Sequence, residues 1–250
     1  MNEILFAVSV LSTFSLVVLF YRLFGKAGMF AWTAFGIVFA NIEVAKCINL
    51  FGLETTLGNV MFGSTFLATD ILSENHGKAA AKKAVYIGLA AVCAFIAMLQ
   101  LSLAFVPSAN DIASKALKEA FALTPRICIA SVALYFVANI SDVHLYHFIK
   151  ERLPGHLWLR NNVATMTCQI AQAFFFCFAA FGGVFPLRMI LEISLTTALV
   201  ECIVAACDTP FLYVARQFVQ SCANVRKTDG EDADALVARV PTSQRDEPGA

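Results

Sequence analysis

The stretch 3–24, EILFAVSVLSTFSLVVLFYRLF, holds one acid at its start and one base near its end. Everything between is apolar, aromatic or a small hydroxyl. A helix needs about 20 such residues to cross the hydrocarbon of a bilayer. No basic residue precedes the run and no small-residue cleavage pattern follows it, so it reads as a retained helix and not a cleaved leader. The rest of the chain is built alike. Of 250 residues, 59% are hydrophobic and 14% charged, with 23 Phe, and the mean hydropathy is +0.72. A soluble domain of this length carries nearer a quarter charged residues. The class is an all-α, polytopic membrane helix bundle, because an open sheet edge cannot be satisfied in lipid.

Seven segments fit a span: 3–24, 28–50, 55–75, 82–106, 125–149, 157–183 and 186–216. Lysine and arginine alternate between their connections. Arg22 and Lys26, then Lys78, Lys82 and Lys83, then Lys150, Arg152 and Arg160, then Arg216, Arg226 and Lys227 fall on one side. The other side has Lys115, Lys118, Arg126 and Arg188, partly offset by Asp111 and Glu119. This bias predicts an external N-terminus and a cytoplasmic C-terminus. The expected organisation is a membrane domain over 1–222 and a polar, disordered cytoplasmic tail over 223–250. The stretch 107–125 reads as a short external amphipathic helix at the interface, with a lid as the alternative.

NIEVAKCINLFG, 41–52, places Asn41, Glu43 and Lys46 beside apolar runs. A charge at the bilayer centre costs about 2.5–3.5 kcal/mol on insertion scales, while polar packing between membrane helices returns about 0.6 kcal/mol on average. Glu43, Lys46, Asp70, Asp142, Glu201 and Asp208 all fall in or near spans. A polar cavity that handles a polar solute explains them better than structural glue. Glu43 and Lys46, three apart, equally fit a pair that neutralises itself. For Asp142 and Asp208 the favoured reading is bonding to neighbouring helix ends. Three segment ends repeat a pattern: TDILSENHGK, SDVHLYHFIK and CDTPFLYVAR set Asp70, Asp142 and Asp208 eight residues before Lys78, Lys150 and Arg216. Eight helical residues span about 12 Å, which puts the base among head groups and the acid just inside. RNNVATMTCQIAQAFFF places Asn162, Thr165, Gln169 and Gln172 on one stripe. Glu201 is a lone mid-span carboxyl, a functional-site candidate by default. Phe66 and Phe175 are among the aromatics that could stack on a flat ring.

Other chemistries lack their residues. There is no Gly-rich phosphate loop, no HExxH and no nucleophile elbow. His144 and His147 gain only Asp142 as a third ligand, so no metal is expected. The eight cysteines stand singly, mostly in apolar runs, and read as small hydrophobes. Zero net charge suggests no nucleic-acid partner. The chain reads as a transporter without a cofactor and not as an enzyme; a structural membrane subunit is the competing class.

ANIEVAKCINLFG, TFLATDILSENHGKAAAKKA, ISDVHLYHFIKERLPGHLWLRNNVAT, FFFCFAAFGG and CDTPFLYVAR resemble, in order and spacing, the queuosine precursor transporter family. That family is also called the vitamin uptake transporter family. The resemblance covers about residues 35 to 220. It implies a six-helix core similar to the substrate-binding components of energy-coupling-factor transporters, with the first segment an extra N-terminal helix. It implies a multi-pass protein of the bacterial inner membrane that imports 7-deazaguanine queuosine precursors, or the salvaged base queuine, for tRNA modification. Another small vitamin-like solute is the alternative. A separate ATPase module or a homo-oligomer stays open as partner. The resemblance places Asn41, Lys46, Asp70, Glu74, Gly77, Asp142, Trp158 and Arg160 on family motifs. The chain departs at Gln172, where the family carries Asp, and at Glu201, where many members carry Lys. The expected substrate-binding set is Asn41, Glu43, Lys46, Phe66, Asp70, Glu74, Asn162, Gln169, Gln172, Phe175 and Glu201. In that set Glu201 holds the guanidine-like edge of the base, and Gln169 and Gln172 read the rest.

Overall fold

The computed structural model describes residues 1–238 except 45, 51, 109–110, 112–113, 122–124 and 184. Within it, side chains are also left undescribed at 47, 53–54, 56, 116, 119–121, 125–129, 180 and 219–238. The elements are α1 (Asn2–Glu43), β1 (Cys47–Leu50), β2 (Leu53–Thr56), α2 (Gly58–Asn75), α3 (Lys78–Ala104), α4 (Ser114–Phe121), α5 (Pro125–Arg152), α6 (Leu157–Phe181) and α7 (Leu187–Ala238). Five helices, α1, α3, α5, α6 and α7, contain stretches long and apolar enough to cross a membrane. The architecture is an all-α membrane helix bundle, that of a multi-pass membrane protein.

The first two expected spans are one element folded on itself. Within α1 only Gly25 leaves helical geometry, at φ 55° and ψ −134°. That conformation is closed to residues with a Cβ. The two legs then run back along each other: the Asn2 side chain donates to the Asn49 carbonyl at 3.0 Å, beyond the far end of the second leg. Gly25→Ala strains this reversal and is expected to cost about 1–3 kcal/mol. A lowered melting temperature of the purified protein checks it.

Two of the expected spans are shorter as helices. Segment 28–50 ends as helix at Glu43, and 55–75 begins as helix at Gly58. Between them β1 and β2 pair antiparallel, with Leu50 opposite Leu53. The turn uses Gly52 at φ 82°, and Asn49 Oδ1 accepts from the Gly52 N–H at 3.1 Å. CINL and LETT satisfy their backbone groups as a hairpin instead of a last helical turn. Lys46 therefore sits in a turn, not on the helical face it was expected to share with Glu43. The remaining polar stretches also differ from simple loops. Asp111 caps α4, accepting from the Ser114 N–H at 2.8 Å; the flanking 109–110, 112–113 and 122–124 lie outside the described residues. At the other terminus, α7 continues as backbone helix to Ala238, well past Ala223, where a disordered tail was expected. Residues 239–250 of that expected tail lie outside the described residues.

α2 is the centre of the bundle. Nearly all of Gly58–Ser73 is buried. Lipid offers no hydrophobic drive between helices, so close packing at small residues must hold them. A Cβ on Gly36 of α1 would approach Thr65 at 3.1 Å, and one on Gly63 would meet Val204 of α7 at 2.6 Å. Trp32 Nε1 of α1 donates to Ser64 Oγ at 3.0 Å. Phe14 of the first leg meets Phe211 of α7 edge-on, centroids 5.5 Å apart. These contacts fix α2 between α1 and α7, with α5 and α6 closing the other side.

Candidate substrate site

α2 and α5 run side by side in the same direction. Tyr146 of α5 donates its hydroxyl to Glu74 Oε2 of α2 at 3.0 Å. One turn back, Asp142 and Asp70 both meet Thr165 of α6. Further along, Phe62 and Tyr135 meet edge-on. On α5, Tyr135, Asn139, Asp142 and Tyr146 are spaced as one helical face, and all are buried. On α6, Asn161, Thr165 and Gln169 form a matching buried line. Antiparallel α7 faces them. Asn161 Nδ2 donates to Asp208 Oδ1 at 2.6 Å, and eight residues further into the bundle from that pair lie Gln169 and Val200. This register sets Glu201 at the depth of Gln169.

A polar column thus descends through the bundle in three levels. The basic end is an ionic knot. Glu74, 6% exposed, meets Arg160 Nη2 at 2.6 Å, Lys150 Nζ at 2.9 Å and Arg216 Nε at 3.5 Å. Arg160 is fully buried, and donates also to the Tyr146 hydroxyl and the Pro154 carbonyl. Beside the knot His76 sits 3.2 Å from the Tyr21 hydroxyl. Burial, and then Lys26, hold its imidazole below the ordinary histidine range. Above the knot lie Asp70, Asp142 and Asp208, all buried. Thr165 Oγ1 is 3.3 Å from Asp70 Oδ2 and 3.2 Å from Asp142 Oδ1. Pro210 stands in α7 just past Asp208 and leaves a helical carbonyl free, which a protein-lined polar site tolerates.

The third level is the least satisfied. Both polar atoms of Gln169, Asn139 Oδ1, Gln172 Oε1 and Glu201 Oε2 are buried without a hydrogen-bond partner. A buried polar group without a partner costs about 1–3 kcal/mol. So many at one depth mark a place where a polar molecule would satisfy them.

The structure brings together most of the expected set and separates the rest. Phe66, Asp70, Glu74, Gln169 and Glu201 are buried in the bundle, with Gln172 half-buried beside them. Asn162 is at the side of the basic end, bonded to Thr209 at 2.7 Å. Asn41 caps back onto the Ile37 carbonyl at 2.8 Å. Glu43 and exposed Lys46 lie with it at the hairpin end, away from the other levels. Phe175 is 65% exposed on the outer face of α6. A run of three phenylalanines hides which one faces inward, and Phe175 is the outward one. Phe175→Leu is therefore expected to leave solute uptake and its KM unchanged, as an uptake assay would read. Asn139, Tyr146 and Asn161 were missed. The signal was present, since they lie three or four residues from Asp142 and Thr165. The surface hollow bounded by Lys78, Ser141, His144, Leu145, Phe148 and Glu151 takes in none of the column.

Two comparisons carry this beyond geometry. Residues 56–215 match the family described as "Putative vitamin uptake transporter". The chain is 38% identical over 208 residues to a Bacillus subtilis protein named "Probable queuosine precursor transporter", covering 82% of this chain and 91% of that one. No solved structure matches the chain. The matched region runs from the end of the second strand of the hairpin to residue 215, so the polar column apart from Arg216 lies within it, and the chain belongs to the vitamin uptake transporter family.

Proposed function

We propose that this protein imports a 7-deazaguanine queuosine precursor, or the salvaged base queuine, with the hairpin end outside and the basic end in the cytoplasm. The observation that carries the reading is the level of unpartnered amides and carboxyl at Gln169, Asn139, Gln172 and Glu201. A deazaguanine presents ring and exocyclic N–H donors on one edge and a carbonyl beside them. The Glu201 carboxylate accepts two of those donors side by side, and the Gln169 and Gln172 amides take the carbonyl and remaining edge. Phe66 supplies an apolar flank and Asp70 the floor. Asn41, Glu43 and Lys46 serve as the outer rim. The relative named as a queuosine precursor transporter supports the choice of solute. The positive-inside pattern supports the orientation in the membrane. No covalent step is assigned to any residue. A bacterial strain unable to make the precursor tests the reading. With the base supplied at low concentration, modified tRNA returns only when this protein is expressed. Supplying precursor and queuine separately shows which one enters. A purely structural subunit restores neither.

A further inference from the structure

We propose that Asp70, Asp142 and Asp208 form a proton-carrying site, so that uptake is driven by an inward proton gradient. The inference rests on the importer reading above. Asp70 and Asp142 flank one hydroxyl, that of Thr165, at 3.3 and 3.2 Å. Two ionised carboxylates offer acceptors only, and the single Thr165 hydrogen serves one of them at a time, so a proton on one carboxyl completes the second contact. All three carboxyls are buried, and among the described residues no cation reaches them. The bases of the adjoining level are held by Glu74. The titratable side chains facing this site are Glu74 from α2, Tyr146 from α5, Arg160 and Cys168 from α6, with Tyr21 of α1 a level beyond.

A second observation points the same way. Gln169, fully buried with its whole amide unpartnered, lies one turn from Thr165 on the same face of α6. It links the solute level to the carboxyl level. The step balances simply. One proton enters from outside and protonates a carboxyl of the pair, the solute binds above it, and both leave to the cytoplasm with no bond to the solute made or broken.

Proteoliposomes containing the full chain test this with radiolabelled aminomethyl deazaguanine. With a proton gradient of one unit and the voltage clamped, one proton per solute sustains about tenfold accumulation. The expected result is accumulation that a protonophore abolishes and that a sodium gradient does not replace. Asp142→Asn should still equilibrate label across the membrane but lose accumulation; Asp208→Asn is a second probe should the first fail to fold. Uptake that ignores the proton gradient, or follows sodium instead, overturns the proposal while leaving the importer reading intact. No uptake of any deazaguanine by well-folded protein overturns both.

Discussion

Glu74→Gln is expected to remove most of the folded protein from the membrane and to lower uptake more than tenfold. The reason is the imbalance that it leaves. Arg160 is fully buried, and Glu74 is its only ionic partner among the described residues, at 2.6 Å. Removing one member of a buried pair costs about 3–5 kcal/mol, because the other charge stays in place uncompensated. The Pro154 carbonyl and Tyr146 hydroxyl still accept from the guanidinium, but neither carries charge. Lys150 and Arg216 differ. Their side chains are 30% and 39% exposed, and exposed pairs contribute about 0–1 kcal/mol. Lys150→Met and Arg216→Met should therefore melt within a few degrees of the parent. A thermal-shift series on the four proteins in detergent checks the ranking. Equal losses from all three variants would show that Glu74 is not the hub.

Glu201 should behave in the opposite sense. Its carboxyl is buried in mid-span with one oxygen unpartnered and no cation in contact among the described residues. Replacing it by Leu removes an unsatisfied group and should raise the melting temperature. The same change removes the proposed acceptor of the solute's N–H edge. Leaving that edge of the solute without its partner costs about 1–3 kcal/mol, which corresponds to roughly 5- to 150-fold in affinity. Glu201→Gln, which retains shape and one acceptor, should raise KM by about tenfold, with abundance in the membrane unchanged. Stability gained while transport is lost is the pattern of a functional group held at a structural cost. If both variants lose stability and transport together, Glu201 is structural.

How much of this was legible in the sequence depends on which physical signal each residue carried. The membrane helix bundle was legible because apolar length is a one-dimensional property. The join at Gly25 was not, since a glycine between two spans reads the same whether it ends a helix or folds one back. The hairpin at 47–56 was lost in apolar composition that suits strand and helix alike. The repeat of Asp70, Asp142 and Asp208 was visible as spacing along the chain. Helix-end bonding does hold Asp208 to Asn161, yet the three carboxyls also converge on one level, which spacing along a chain cannot show. Their basic followers Lys150 and Arg216 converge too, on Glu74. The polar stripe on α6 was read correctly at Thr165 and Gln169, while Asn162 proved to lie at its edge and Asn161 at its centre. Lys46 was tied to the site by its place beside apolar runs and by the family motif, and the structure leaves it at the hairpin end.

Equilibrium binding of a radiolabelled 7-deazaguanine base to the purified protein in nanodiscs tests the central claim most directly. The account predicts one saturable site, displaced by unlabelled deazaguanine and guanine-like bases but not by riboflavin, biotin or thiamine, and weakened about tenfold by Glu201→Gln. Saturable binding of a vitamin in preference to the base, or identical affinity in the Glu201→Gln protein, would contradict it.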